Sequence, residues 1–111
     1  MATEQELSTR IAKVKQALTD LGDLRPGSIS EQYNVCGSAG CRCKTDPARR
    51  HGPYYQLSYT LGGRSRTEAL RREDLEAARA QIANYKQMRA LVEEWVEASI
   101  ALDRLRRSAA R

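Results

Sequence analysis

Apolar positions along the chain follow three different rhythms. Leu7, Ile11, Val14, Leu18 and Leu21 recur at spacings of four, three, four and three. That is an a/d heptad seam and predicts a helix over residues 4–21. Thr3 and Glu6 form a capping-box pair at its start, Gly22 is placed to end it, and Arg25-Pro26-Gly27 predicts a turn. Ile29, Tyr33 and Val35 then fall on odd positions in a polar stretch, a short strand signal. In residues 53–60 the rhythm is strict alternation, with Tyr55, Leu57 and Tyr59 on one face and Tyr54, Gln56, Ser58 and Thr60 on the other. Leu61-Gly62-Gly63-Arg64 predicts a tight hairpin and Arg64 to Leu70 its return strand, with Arg64 and Arg66 pointing the same way. From Arg72 to about Ser108 there is no Gly or Pro, and Leu75, Ala78, Ile82, Tyr85, Met88, Val92, Trp95 and Leu102 keep a drifting three/four spacing.

These elements predict an α+β fold in one small domain. It has an N-terminal helix (4–21), a loop and small antiparallel sheet of two or three strands (28–70), and a long C-terminal helix (72–108) packed in a coiled-coil-like pair. Such a helix would reach about 50 Å. It either breaks near Met88–Leu91 or extends into a coiled coil, with the N-terminal helix or a second copy of the chain as its partner. Leu91, Val96, Ile100 and Leu105 widen its stripe beyond one seam.

Residues 36–53 fit no rhythm. They hold all three Cys, the single His, three of the seven Gly and two of the three Pro. The pattern Cys36-x4-Cys41-x-Cys43-x7-His51 puts four soft or borderline donors within 16 residues. Cys3His is a common tetrahedral set for structural zinc. Gly37 and Gly40 would let Cys36 and Cys41 converge on one ion, and Arg42 and Lys44 would offset the charge of three thiolates. A metal also explains how a segment without an apolar core stays ordered. Two other readings stand beside it. Cys41 and Cys43 could be a redox pair, although the redox spacing is C-x-x-C. The thiols could also be unliganded, although such thiols usually sit among apolar neighbours. His51 is the least secured member and could instead hold the loop against a strand.

Charge sharpens this picture. The chain has 111 residues, 41% of them hydrophobic and 5% aromatic, and a formal charge of +5. Residues 41–72 carry eight basic groups against Asp46 and Glu68, while the flanking segments nearly balance. A local basic patch points to a polyanion, most often nucleic acid; the alternative is a solvated surface that aids solubility. No apolar run approaches a membrane span, and the polar, acidic start is unlike a secretory signal. Three Cys cannot all pair, so a cytoplasmic protein with reduced thiols is expected.

Residues 25–37, then Gly40-Cys41-Arg42-Cys43-Lys44, then Arg50-His51-Gly52-Pro53-Tyr54-Tyr55 and Leu57-Ser58-Tyr59 resemble a family of short bacterial and archaeal proteins of unknown function. The resemblance covers roughly residues 20–90. Members are often encoded beside transposases, integrases or phage genes, which implies a mobile-element or DNA-related role. The strand, hairpin and helix order is also similar, at the level of fold, to the three-stranded domains with which tyrosine integrases hold DNA.

The expected function is therefore a non-enzymatic, zinc-stabilised module that binds nucleic acid, with duplex DNA ahead of RNA. One sheet face would carry Tyr54, Gln56, Ser58, Thr60, Arg64 and Arg66 into a major groove, with Arg42, Lys44, Arg49 and Arg50 over phosphates. The alternative is a protein-interaction module for a recombinase, a transposase or a host defence complex. An enzyme is not expected: the one His is assigned to the metal, leaving no base for a nucleophile, and four protein ligands leave no open metal position.

Overall fold

The computed structural model describes residues 2–110 and has the α+β architecture expected. The element order is helix α1 (Glu4–Asp20), strands β1 (Ser28–Asn34), β2 (His51–Leu61) and β3 (Arg64–Leu70), and helix α2 (Leu75–Ala109). Short 3-10 turns lie at Arg42–Lys44, Pro47–Arg49 and Arg72–Asp74. The chain divides into two compact units, one of residues up to Leu24 together with those from Ala83 onward, the other Arg25–Ile82.

The first unit is a helix pair. Thr3 Oγ1 accepts the Glu6 N–H at 3.1 Å, and Glu4 and Glu6 stand in the first turn, where carboxylates favour the helix dipole. The apolar seam of α1 is the face that packs: Leu7, Ala98 and Leu102 are buried, with Ile11, Ala101 and Leu105 against them. Arg106 meets Glu4 at 2.9 Å and Arg10 meets Glu94 at 3.0 Å, so the helices run antiparallel. Gly22 does not end α1 through a left-handed residue; the chain leaves at an extended Leu21. A side chain at Gly22 would instead meet the Asn84 amide, which donates to the Asp23 carbonyl at 2.9 Å. Helix α2 is unbroken through Met88–Leu91 and has 35 residues.

The second unit is a three-stranded antiparallel meander in the order β1-β2-β3. Gly62 and Gly63 take φ of 60° and 79°, the left-handed backbone that a two-residue hairpin needs, and they pair Leu61 with Arg64. Leu57, at the centre of the middle strand, is fully buried. Leu75, Ala78 and Ile82, spaced three and four apart, are also buried, as is Cys43. The opposite sheet face is open and bears no charge within the paired strands. Side chains ladder across it: Gln32 donates to Gln56 at 3.1 Å, Ser58 meets Thr67 at 3.4 Å, and Thr60 meets Ser65 at 3.1 Å. Among the described residues no helix is long and apolar enough to cross a membrane.

Candidate metal centre

The four predicted ligands come together. Cys36 lies just past β1, Cys41 and Cys43 flank and enter the 3-10 turn Arg42–Lys44, and His51 opens β2 opposite Asn34. Their donor atoms all lie within 4.8 Å of one another. Cys36 Sγ is 3.5 Å from Cys43 Sγ, and Cys41 Sγ is 3.2 Å from His51 Nε2. Gly37 lies in a bend and Gly40 in a turn, as expected, without a positive φ at either. The turns that bring the ligands together are closed by backbone bonds, Cys41 N–H to Ser38 O at 3.3 Å and Lys44 N–H to Cys41 O at 3.4 Å.

Gly52 sets the position of His51. Its φ is +146°, and a Cβ there would stand 2.7 Å from the Gln32 carbonyl oxygen. Only glycine lets β2 start so close to the irregular end of β1, where the register shifts between Gln32 and Asn34.

The electrostatics favour thiolate at Cys36 and Cys41 and oppose it at Cys43. The Ser38 N–H, then the neighbouring sulfurs of Cys41 and Cys43, lower the Cys36 thiol to about 6. The Cys43 N–H, followed by Cys43 Sγ and His51, lowers Cys41. Cys43 is buried; the Cys36 N–H at 3.3 Å pulls its acidity one way, but burial and the adjacent sulfurs outweigh it and raise the thiol. Cys41 first, then Cys36, raises His51. Three sulfurs and one imidazole nitrogen so arranged can hold one metal ion.

The family described as a domain of unknown function, DUF6788, matches residues 4–80. The chain belongs to that family. The match takes in α1, the cysteine-rich knuckle of residues 36–51, the sheet and the start of α2, so it starts earlier and stops sooner than the motifs suggest. No curated protein and no solved structure matches this DUF6788 chain.

The residues expected to meet nucleic acid do not share one surface. Direct cross-strand partners point to the same face. Because Leu61 pairs with Arg64, Arg66 lies opposite Tyr59, on the Leu57 face. Arg64 and Arg66 are therefore separated from Tyr54, Gln56, Ser58 and Thr60, and the composite reading face predicted from sequence is not formed. Tyr54 and Gln56 instead line a groove of about 490 Å³ with Asn34, Pro53, Ala69, Arg71 and Arg72. Arg71 and Arg72 were absent from the predicted set. Counting the register outward from the Gly-Gly turn would have found Arg71, one step beyond the Tyr55–Leu70 pair. Arg42, Lys44, Arg49 and Arg50 are exposed on the knuckle. Of the eight cations in residues 41–72, only Arg49 and Arg71 pair with carboxylates among the described residues, Asp46 at 3.9 Å and Asp74 at 2.8 Å.

Proposed function

We propose that this DUF6788 chain is a non-enzymatic nucleic-acid-binding module of the cytoplasm, built on a knuckle that holds structural Zn²⁺ through Cys36, Cys41, Cys43 and His51. A tetrahedral zinc site has S–S edges of about 3.8 Å and S–N edges of about 3.5 Å, from its bond lengths. The Cys36–Cys43 and Cys41–His51 separations of 3.5 and 3.2 Å are close to these edges. Four protein donors fill the ion's coordination, which suits a structural rather than a catalytic role.

The observation that carries the nucleic-acid reading is the run of exposed cations without carboxylate partners around the knuckle, next to a groove walled by the half-exposed Tyr54. Arg42, Lys44, Arg50 and Arg72 would take phosphates, and Arg49 would join them by leaving its 3.9 Å contact with Asp46. Tyr54 offers a ring on which an unpaired base can stack. The mobile-element setting implied by the motifs makes DNA the first target to test.

The test is fluorescence anisotropy with single-stranded and duplex DNA across a salt series. About five phosphate contacts predict a log–log slope of roughly −4 to −5 on duplex and about −3.5 on a single strand. A slope near zero sinks the reading. Tyr54→Ala should weaken the single strand by roughly 5- to 100-fold, the worth of one stacked base, and leave the duplex nearly unchanged.

One feature favours a protein partner instead. Strand β3 is an edge of the sheet and its residues through Ala69 are exposed, so a partner strand from a recombinase, transposase or host defence complex could add to it. The triple variant Arg42→Glu, Lys44→Glu, Arg50→Glu separates the two: nucleic-acid retention should vanish while binding to a partner strand survives.

A further inference from the structure

Helix α2 carries a second apolar stripe that the helix pair does not use. Val92, Val96 and Ile100 are 40, 50 and 48% exposed, values high for large aliphatic side chains in a row. At 100° per residue, Ala98 and Leu105 lie about 200° and 180° around the helix from Val96. The stripe therefore faces away from the α1 seam. It borders a shallow groove of about 300 Å³ that also involves Trp95, Ser99 and Asp103. It lies beyond residue 80, outside the part of the chain that the family match covers.

The residues that flank the stripe say what covers it. Arg89 stands two turns before Val96 and Asp103 two turns after, each within about 20° of the same line. We propose that α2 packs antiparallel against α2 of a second copy, about a two-fold axis at Val96. In that register Val96 meets Val96, Val92 meets Ile100, and Arg89 meets Asp103, each of the last two contacts occurring twice. Asp103 already accepts from Arg107 within its own helix at 3.0 Å, so Arg89 of the other copy joins a standing pair. Glu93 falls opposite Ser99, so no like charges oppose each other along the seam. A parallel pairing would instead set Arg89 against Arg89 and Asp103 against Asp103. Self-complementarity about a two-fold is the signature of an isologous interface. The seam from Arg89 to Asp103 runs about 21 Å, which places the contact at the small end of stable interfaces and predicts a Kd on the order of micromolar.

Sedimentation equilibrium of the zinc-loaded full chain in reducing buffer, from about 1 to 500 μM, tests this. A reversible monomer–dimer equilibrium is expected, and a monomer throughout overturns the proposal. Val96→Glu places two carboxylates on the axis and should give a monomer whose circular dichroism is unchanged, since the site is exposed. A dimer that persists in Val96→Glu overturns it as well. Arg89→Asp should weaken association at least tenfold, and Arg89→Asp with Asp103→Arg should restore it. Failure of that rescue rejects the antiparallel register, because in a parallel pair both the single and the double variant keep like charges opposed.

Discussion

Cys36 and Cys43 sit 3.5 Å apart yet differ as acids: each receives a backbone N–H, but the neighbouring sulfurs add to that effect at half-exposed Cys36, while burial and the adjacent sulfurs outweigh it at Cys43. In metal-free protein at pH 7, iodoacetamide should therefore label Cys36 first and Cys43 last, an order that mass spectrometry of a time course reads directly. The same shift fixes a sign. A thiol whose folded value lies below the free value of 9.0 contributes stability that is complete above pH 9 and is lost as pH falls through about 6. His51 runs the other way, its contribution full below 6.5 and lost as pH rises through its raised value. Cys43→Ser removes the most deeply buried ligand and should abolish zinc retention, as metal analysis after dialysis will measure. All four candidate ligands are legible as residue types at a spacing. What sets their acidities is not, because the N–H groups of Ser38 and Cys43 come from turns with no side-chain signature.

At the scale of elements, Gly52 joins the sheet to the knuckle. Gly52→Ala would drive a methyl into the Gln32 carbonyl in a backbone region that costs side chains of order 1–3 kcal/mol. Denaturant unfolding should register a loss of at least that size, and zinc affinity should fall with it, since His51 is the next residue. Unchanged zinc affinity would show that His51 is placed by something else. The strands and the hairpin could be read from alternation and from Gly62-Gly63. Their faces were misread because each strand was taken alone. Parity across a two-residue turn puts odd positions of β2 beside even positions of β3 and sends Arg66 to the Tyr59 side. The continuity of α2 could not be read either. Its stripe drifts because it sums two seams, Leu75, Ala78 and Ile82 in one unit and Ala98 and Leu102 in the other.

For the whole molecule, the two units have separate cores, and the chain carries a reporter for each. Trp95 is the only Trp and belongs to the helix pair, with Lys15 Nζ 5.0 Å from its ring, whereas Tyr33, Tyr54, Tyr55 and Tyr59 belong to the sheet unit. Chelation should erase the near-ultraviolet dichroism of these four tyrosines, but not that of Tyr85 in the helix-pair unit, while Trp95 emission stays put. A simultaneous red shift of Trp95 would show that the two units melt as one. The positions of the ligands also bear on when the site forms during synthesis. All four lie within 16 residues and precede almost all of β2, and the whole of β3 and α2. Closing so short a loop costs little chain entropy. At about 5–20 residues per second, translation leaves several seconds between emergence of His51 and completion of α2. If the knuckle holds zinc as proposed, it can capture the ion on the ribosome, and a cell starved of zinc would release chains whose sheet must assemble without that nucleus.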